Sequence, residues 1–331
     1  MSRDPGIVTD LPTLEPLLST APIFLQPWWL EAVAPGRWGY VATWRGDRPA
    51  ALMPFVKKND RFGQTWLTMP HLTQVLGPWL RPSCGKYVSD LGDQMQLMKE
   101  LIEALPAYDY FLEQFHYSVS NGLPFYWKGF SLRVRYTYVL SDLGDLSEIW
   151  NNMDSERRTH IRKAEKIVRV VDNLGLDRFL DVQDLTFHRQ GLAMPVSREE
   201  IRRLDAACEQ HAARKIFFAV DDGGRVHAVS YVVWNAHSAY MLMGGGDPEL
   251  RNSGAASLTL WESIKFAQNV SRVCDFEGSM IKGVESHFRS FGARQMPYLV
   301  VERDNRRFLF KACAKLAGVC STLTQRCRIG G

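Results

Sequence analysis

A strand, a helix and a second strand in the region 238–276 restrict the folds open to this chain more than any other feature. Alternation over 238–243 predicts a strand, and apolar residues at helical spacing from Leu258 to Ala267 predict a helix. The apolar run 273–276 then predicts a returning strand. Such a unit is normally a right-handed crossover between parallel strands, so the sequence predicts a mixed α/β sheet built around it.

The junction between the first of these strands and the helix carries glycines and an arginine. Gly244, Gly245 and Gly246 follow the strand, and the segment 251–256 leads into the helix. The start of a helix presents unpaired N–H groups and the positive end of the helix dipole, which together favour a phosphate or an oxyanion. Arg251 adds a charge-assisted hydrogen bond. The junction therefore predicts a binding site for an anionic group.

The order of elements is similar in the two halves of the chain. Strand–turn–strand patterns over 39–69 and over 216–243 each predict an antiparallel meander, followed by a helix and a further strand. With 331 residues, 46% of them hydrophobic, the chain can form two packed cores. We therefore expect an α/β (α+β) fold with two domains, each a mixed, mostly antiparallel sheet flanked by helices. Residues 1–140 with 303–331 form the first predicted domain, and residues 141–302 form the second.

Composition excludes several classes of function. No run approaches the roughly 18 apolar residues of a membrane span, and the start of the chain lacks a signal-peptide core, so we expect a cytoplasmic protein. The six cysteines include no Cys-x-x-Cys pair and no nearby histidine at zinc-binding spacing, so no metal site is predicted. The net charge of +4 permits a polyanionic partner without requiring one, and we expect no DNA partner.

Basic residues cluster in a helix predicted near the middle of the chain. Arg158, Arg162 and Lys166 are four apart and share a face, which Lys163 flanks. One interpretation is a solvated helix face. The other is a face that binds phosphates, because few acidic residues compensate these charges. The segment 304–328 predicts a second basic, amphipathic helix, which either packs against the first domain or contacts tRNA or a membrane surface.

The junction sequence resembles a known pattern. Arg251, Gly254 and Ala256 match Gln/Arg-x-x-Gly-x-Gly/Ala, with which acyltransferases of the GNAT superfamily hold the diphosphate of acyl-CoA. In the first half, Gln74 and Gly77 repeat the start of the pattern, but the next residue is a proline and lacks the N–H that a phosphate loop would use. We therefore expect one donor site, in the second half, and an acceptor cleft shaped by the first half.

A longer resemblance covers the region 240–292. The succession of the triple glycine, the segment 251–256, the segment 275–278 and the segment 288–292 is similar to the second half of the Fem (FemABX) family. These tandem-GNAT enzymes add amino acids from aminoacyl-tRNA to peptidoglycan precursors. Over the first 140 residues the resemblance is only architectural, and it implies two GNAT-like domains.

The resemblance implies acyl transfer to an amine. Its expected co-substrate is an aminoacyl-tRNA or, as an alternative, an acyl-CoA, with no bound cofactor and no metal. The expected acceptor is an amine-bearing small molecule, peptide or cell-envelope precursor. The donor would lie against residues 244–246, the segment 251–256 and Phe288. A non-catalytic protein that only binds a ligand is the third hypothesis.

Asp275, Glu277 and Arg289 are the candidate catalytic residues. Amine attack on an ester or thioester needs proximity, a proton acceptor and donors for the oxyanion. Asp275 and Glu277 are two apart on a predicted strand, so we expect them to share a face and one of them to be the base. A structural role for Asp275 and a route without a protein base are alternatives. Arg289 stands where Fem enzymes have a lysine, which keeps the positive charge but not the titratable amine.

Overall fold

Strands and helices alternate along the chain in two similar series. The structure, a computed structural model, describes residues 4–82, 85–188, 191, 193–278 and 280–306. The strands are β1 (Gly6–Ile7), β2 (Trp38–Arg45), β3 (Arg48–Asn59), β4 (Thr65–Leu67), β5 (Trp79–Leu80), β6 (Tyr110–Gln114), β7 (Ser131–Leu140), β8 (Arg169–Val171), β9 (Arg214–Val220), β10 (Val226–Trp234), β11 (Ser238–Gly246), β12 (Val273–Asp275) and β13 (Arg294–Asp304). The helices are α1 (Glu15–Leu18), α2 (Pro27–Val33), α3 (Tyr87–Ala104), α4 (Leu123–Trp127), α5 (Leu146–Asn152), α6 (Ser155–Ala164), α7 (Gly175–His188), α8 (Arg198–Gln210), α9 (Ala255–Ala267) and α10 (Lys282–Arg289).

The strands of the described residues form one sheet. Its order is β1-β2-β3-β4-β6-β13-β7-β12-β11-β10-β9-β8, and β5 pairs with β3. The strands β2, β3 and β4 and the strands β9, β10 and β11 pair as antiparallel meanders, which confirms that prediction for both halves. The pairs β4 with β6 and β11 with β12 are parallel. The predicted strand–helix–strand unit is therefore confirmed as β11, α9 and β12.

The two halves meet in the middle of this sheet. β13 pairs with β6 of the first half on one side and with β7 on the other, and β7 pairs with β12 of the second half. The sheet is mixed and mostly antiparallel and carries helices on its faces, as expected. The predicted domain boundaries at residues 140 and 302 fall near the ends of β7 and β13, and this division stays a prediction.

Three apolar clusters hold the helices against the sheet. One packs α3 and α4 on the first half, and one packs α5, α6 and α9 on the second half. The third is shared, because α1 and α2 of the first half bury their apolar residues together with those of α7 and α8. Within it the ring of Phe24 lies 4.6 Å from that of Tyr240 on β11. We use the name seam for the region where the two halves touch. It comprises this ring contact, residues 68–79 of the first half and the second-half residues that they contact.

The starts of the helices differ in how they are capped. Asp145 caps α5, Asp154 caps α6, and Ser197 forms a capping box with Glu200 at the start of α8. In contrast, α9 begins after Gly254, which has no side chain to accept its first N–H groups. Ser253 Oγ accepts the Ala255 N–H at 3.3 Å, and the Gly254 carbonyl oxygen accepts the N–H groups of Ser257 and Leu258, so the first turn of α9 keeps the Ala256 N–H for another partner.

Several expectations concern membranes, metals and the end of the chain. Within the described residues, no helix has the length and apolar character needed to cross a membrane. The same residues contain no group of three or more His, Cys, Asp or Glu side chains that could hold a metal ion. Cys208 and Cys274 are buried free thiols. The predicted helix 304–328 falls beyond Arg306, outside the described residues, except for its first three positions.

Candidate functional site

β11 and β12 run side by side for three residue pairs and then separate. Tyr240 lies opposite Asp275 in the last pair. On the other side of β11 the register with β10 shifts between Met241 and Met243, so Leu242 forms a β-bulge. A bulge bends a strand and increases its twist. Beyond Tyr240, the edge of β11 that faced β12 has no strand partner among the described residues, which leaves backbone polar groups for a ligand.

The three glycines lie inside β11, which corrects the prediction that they follow the strand. A Cβ atom on Gly245 would lie 2.5 Å from Thr186 Oγ1 of α7, and the Gly246 N–H donates to the same oxygen at 3.1 Å. Glycine here therefore allows α7 to approach the strand. The predicted contact of Gly244, Gly245 and Gly246 with an acyl donor stays a prediction.

The segment 251–256 forms a short 3-10 turn, Arg251–Ser253, followed by the first residues of α9, including Ala256. Gly254 has a φ angle of 81°, and a Cβ atom there would lie 2.4 Å from the His160 carbonyl oxygen on α6. Only glycine meets both conditions without strain. The guanidinium-bearing side chain of Arg251 is exposed beside the uncapped start of α9. This arrangement can hold an anionic group.

Two of the predicted phosphate-binding residues of α6 hold other parts of the protein. Arg158 Nη1 donates to three carbonyl oxygens at the end of α5. Lys163 Nζ donates to the carbonyl oxygen of Asn252, in the turn before α9, at 2.7 Å. The neighbouring Arg157 donates to Ser257 Oγ at 2.6 Å. The bonds of Arg158 fix α6 to the end of α5, and those of Lys163 and Arg157 fix it against the start of α9, which gives Arg158 and Lys163 a structural function.

Arg162 and Lys166 are less engaged in contacts within the protein than Arg158 and Lys163. The guanidinium carbon of Arg162 lies 5.4 Å from the centre of the Trp150 ring, and Lys166 is exposed beyond the end of α6. Together with Arg251 they are the cations on this side best able to meet phosphates. A polyanion-binding role for the α6 residues stays a prediction.

Asp275 lies at the end of β12, where the second half meets the first. It is 3% exposed and accepts hydrogen bonds on Oδ1 from Thr137 Oγ1 of β7 and, at 2.8 Å, from the Glu277 N–H. Burial raises the pKa of Asp275 to about 6, although both hydrogen bonds lower it. Because the carboxylate ties the turn after β12 to β7, this geometry favours the structural alternative for Asp275.

Glu277 lies in the turn after β12, with a φ angle of 58°. The prediction that Asp275 and Glu277 share a face of one strand is therefore wrong, because the strand ends at Asp275. Glu277 Oε1 is buried and has no hydrogen-bond partner among the described residues. Burial, and then the charge of Asp275, raises the pKa of Glu277 well above its ordinary value. A buried carboxyl group with a raised pKa and an unpaired oxygen can exchange a proton during a reaction.

Residues of both halves surround these carboxyl groups. From the first half, Gln74 Nε2 donates to the Glu277 carbonyl oxygen at 2.8 Å. Burial, and then the charge of Asp275, raises the pKa of Tyr117 to about 12. The same two causes, in the same order, raise the pKa of Tyr240 well above its ordinary value. Neither tyrosine could be named from the sequence, because the register of β11 and β12 places Tyr240 opposite Asp275, and only the packing of the two halves brings Tyr117 close to it.

Arg289 is separated from this group by the sheet. Its Nε pairs with Glu285 Oε1 at 2.8 Å, and the same carboxylate oxygen accepts the Tyr138 hydroxyl at 2.6 Å. Tyr138 and Thr137 are consecutive on β7, so they point to opposite faces, and Asp275 is bonded to Thr137. The structure therefore does not bring Arg289 together with the two carboxyl groups, and its catalytic role stays a prediction.

Phe288 belongs to the face that carries α6 and α9. Its ring lies 5.2 Å from that of Phe276, and it packs against the apolar cluster of the second half. The neighbouring His287 has a pKa lowered to about 4 by burial and then by the charges of Arg157 and His160. Phe288 thus packs into the apolar cluster of the second half, and its predicted contact with the donor stays a prediction.

Two α/β units, each with a meander and a parallel strand pair, joined in one sheet, define a tandem architecture that known structures share. The solved structure of FemX covers 88% of this chain and 96% of its own, with 12% identity and a TM-score of 0.66. The C-terminal domain of a putative lysylphosphatidylglycerol synthetase from Agrobacterium fabrum covers 95% of both chains, with 11% identity and a TM-score of 0.53. A tandem GNAT protein from the clavulanic acid biosynthesis pathway covers 92% of this chain and 98% of its own, with 10% identity and a TM-score of 0.50. No curated protein sequence matches the chain.

A comparison of the sequence with protein families identifies a domain type. Residues 152–279 match the family model described as "Acetyltransferase (GNAT) domain". This matched region contains β8 to β12 and the segment 251–256. Residues 152–279 are therefore similar to a GNAT acetyltransferase domain, which is a class of acyltransferase domain. The chain as a whole shares its fold with FemX and with the tandem GNAT protein, and the predicted fold of two GNAT-like domains is confirmed.

Proposed function

We propose that this chain transfers an acyl group from a phosphate-bearing carrier to an amine, with Glu277 as the proton acceptor. The observation that carries the proposal is the buried, unpaired Oε1 of Glu277 at the point where β11 and β12 separate. The free edge of β11 and the uncapped start of α9 beside Arg251 supply the donors for the carrier and for the oxyanion.

One proton passes through the protein in this reaction. The amine nitrogen attacks the acyl carbonyl carbon, and the C–O bond of an ester or the C–S bond of a thioester breaks. The proton moves from the nitrogen to the Glu277 carboxylate, which then passes it to the departing oxygen or sulfur of the carrier and returns to its ionised form. The raised pKa of Glu277 matches this step, because a more basic carboxylate is a better proton acceptor.

An aminoacyl-tRNA is the first candidate donor. The resemblance of the region 240–292 to the Fem family and the likeness of the fold to FemX support it. The cations Arg162 and Lys166 can contact the phosphates of a nucleic acid. The acceptor is then an amine on a small molecule, a peptide or a cell-envelope precursor, and the reaction belongs in the cytoplasm.

An acyl-CoA is the second candidate donor. It is favoured by the description of the matching family as an acetyltransferase domain and by the internal hydrogen bonds of Arg158 and Lys163, which occupy two of the four predicted phosphate contacts on α6. The two donors are expected to differ in their need for Arg251, whose segment resembles the pattern that holds the diphosphate of acyl-CoA, so the assay separates them at this residue.

The test incubates the purified full chain with a panel of primary amines and either acetyl-CoA or alanyl-tRNA, with mass spectrometry of the products. Alanyl transfer that weakens with added salt, and that Arg251→Ala leaves unchanged, supports the tRNA donor and contradicts the CoA donor. Acetyl transfer that Arg251→Ala abolishes supports the CoA donor instead. No product with any pairing, over a panel that includes peptides and amino sugars, would support the non-catalytic hypothesis.

A further inference from the structure

One side chain of the first half reaches across the seam to the candidate base. Gln74 lies in the loop after β4, and its Nε2 donates to the Glu277 carbonyl oxygen, 203 residues further along the chain, at 2.8 Å. The sequence pattern around Gln74 resembles a phosphate loop but cannot act as one, because a proline follows Gly77. Its hydrogen bond to Glu277 instead gives this glutamine a contact between the two halves of the protein.

Both sides of this contact have an unfavourable backbone conformation. Among the described residues, the non-glycine positions with positive φ are Leu72 at 56°, Ala212 at 48° and Glu277 at 58°. Two of the three therefore flank the bond from Gln74. Non-glycine residues adopt this conformation only where their surroundings fix it, and such positions concentrate at functional sites.

Three contacts fix the turn that carries Glu277. The Gln74 amide holds its carbonyl oxygen, and Asp275 Oδ1 accepts its N–H at 2.8 Å. The next residue, Gly278, has a φ angle of 62°, and a Cβ atom there would lie 2.2 Å from the Tyr136 carbonyl oxygen on β7. Backbone contacts on both sides and at the following residue thus leave this turn one conformation, and with it one direction for the Glu277 side chain.

The same glutamine is part of a chain of polar side chains through the seam. Burial raises the pKa of Tyr298 on β13, and a hydrogen bond from Gln74 is among the interactions that lower it. The Tyr298 hydroxyl donates to Gln114 Oε1 on β6 at 3.1 Å. Gln74 is therefore connected through Tyr298 of β13 to Gln114 of the first half, while it also holds the turn that carries Glu277.

We propose that Gln74 is a positioning residue for Glu277. Its bond across the seam keeps the Glu277 carboxyl group buried and turned to the acceptor, so the first half controls the base of the second. This inference rests on the proposed function of Glu277 as proton acceptor.

The test replaces Gln74 by Leu, and by Met as a second variant of closer length. Gln26→Leu is the matched control, because Gln26 Nε2 also donates to a carbonyl oxygen, that of Leu18, at 2.8 Å, but within the first half. The donor and amine are the pair that gives product in the mass-spectrometric assay. We expect Gln74→Leu to lower kcat roughly 10- to 100-fold, because a misplaced base loses its alignment, and to leave the KM of the donor unchanged.

A second measurement does not depend on turnover. Carbon-13 NMR of labelled glutamate carboxyl groups, assigned with Glu277→Gln, follows the titration of Glu277. We expect its pKa to fall towards the ordinary glutamate value in Gln74→Leu and Gln74→Met, because the released turn exposes the carboxyl group to water. The acid limb of the pH–rate profile should move to lower pH in the same variants. Neither shift is expected in Gln26→Leu.

The outcomes separate this inference from the proposed function. If Glu277→Gln is inactive while Gln74→Leu matches Gln26→Leu in kcat and in the titration of Glu277, the positioning role is wrong and the proposed function stands. If Glu277→Gln keeps full activity, the proposed function is wrong, and the positioning role in catalysis falls with it.

Discussion

Each half of the chain contains an equivalent pair of parallel strands, β4 with β6 and β11 with β12, but the residues that follow the pair differ in structure. The last parallel pair of the first half includes Phe111, and that of the second half includes Asp275. Two residues further along stand Glu113 and Glu277, which are equivalent by this register. Both carboxyl groups are buried, and each has at least one oxygen without a partner among the described residues. The chain therefore offers its own internal control for the candidate base.

The surroundings of the two glutamates differ. Glu113 continues in β6 opposite Val301, and it is 0% exposed. Burial raises the pKa of Glu113 well above its ordinary value, and the Gly77 backbone N–H lowers it only in part, since neither carboxyl oxygen makes a contact of good hydrogen-bond geometry. Glu277 instead leaves the sheet and meets polar groups of both halves. Burial is thus common to the two glutamates. The end of the strand and the polar neighbours from both halves are found only at Glu277, the candidate base.

The two left-handed glycines extend this comparison. Gly77 and Gly254 have φ angles of 82° and 81°, and a Cβ atom on either would lie within 2.5 Å of a neighbouring atom. After Gly254 the helix α9 begins at once, whereas α3 begins only at Tyr87. The second half therefore keeps a helix start for an anion, and the first half uses the corresponding loop to build the seam.

The largest expected effect separates the two glutamates. Glu277→Gln removes the proton acceptor, and we expect kcat to fall roughly 10²- to 10⁴-fold, the usual contribution of a general base. Glu113→Gln should leave kcat near that of the unmodified protein, because this group faces no acceptor. Steady-state kinetics with the active donor and amine measure both. An equal loss of kcat in the two variants would show that Glu277 has no catalytic role that Glu113 lacks.

The glycines should separate stability from binding. Gly254→Ala and Gly77→Ala each force a side chain into a left-handed, crowded position, so we expect each to cost about 1–3 kcal/mol in the free energy of unfolding. Urea denaturation measures this loss. Only Gly254→Ala should also raise the KM of the donor, because only this glycine precedes the start of α9. A raised donor KM in Gly77→Ala would place a second donor contact in the first half.

The buried Glu113 should make stability depend on pH. Its pKa in the folded protein lies above the ordinary 4.5, so the stability it contributes is fully present below pH 4.5 and is lost as the pH rises through the folded pKa. We expect Glu113→Gln to be more stable than the unmodified protein at neutral and alkaline pH, because the amide has no charge to bury. Urea unfolding across this range is the measurement, and a pH-independent difference between the two proteins contradicts it.

The smallest effect is expected at Arg289. Its side chain is 63% exposed, pairs with Glu285 and lies on the opposite face of the sheet from Asp275. We expect Arg289→Gln to change kcat and donor KM by less than about twofold, as for other exposed ion pairs. Where the active donor is an acyl-CoA, Arg251→Gln serves as the positive control, with a raised donor KM. A large loss of kcat in Arg289→Gln would restore the sequence-based prediction of a catalytic arginine.

Local patterns made the core of the second half predictable. Period-two alternation and helical spacing identified β11, α9 and β12, and the glycine and arginine of the segment 251–256 identified the junction. The predicted end of β11 was wrong because three successive glycines normally indicate a loop. In this strand, glycine at position 245 is explained by the close approach of α7.

Contacts between distant segments were not predictable in the same way. The positive charges of Arg158 and Lys163 suggested phosphates, but their carbonyl partners lie on neighbouring elements that only the folded chain brings close. Glu277 could be named as a candidate from the sequence, whereas its left-handed backbone and its bond from Gln74 depend on how the two halves pack. A single sequence carries no local signal for such long-range pairs.

The position of β13 has a consequence for the synthesis of the protein. This strand is among the last described residues of the chain, yet it fills the place between β6 and β7. On the ribosome β6 must therefore wait for almost two hundred further residues before it gains this neighbour, and its exposed edge is open to wrong partners during that time. We expect the sheet to close only when residues 294–304 emerge, so a chain stalled before them would be a client for chaperones rather than a half-finished enzyme.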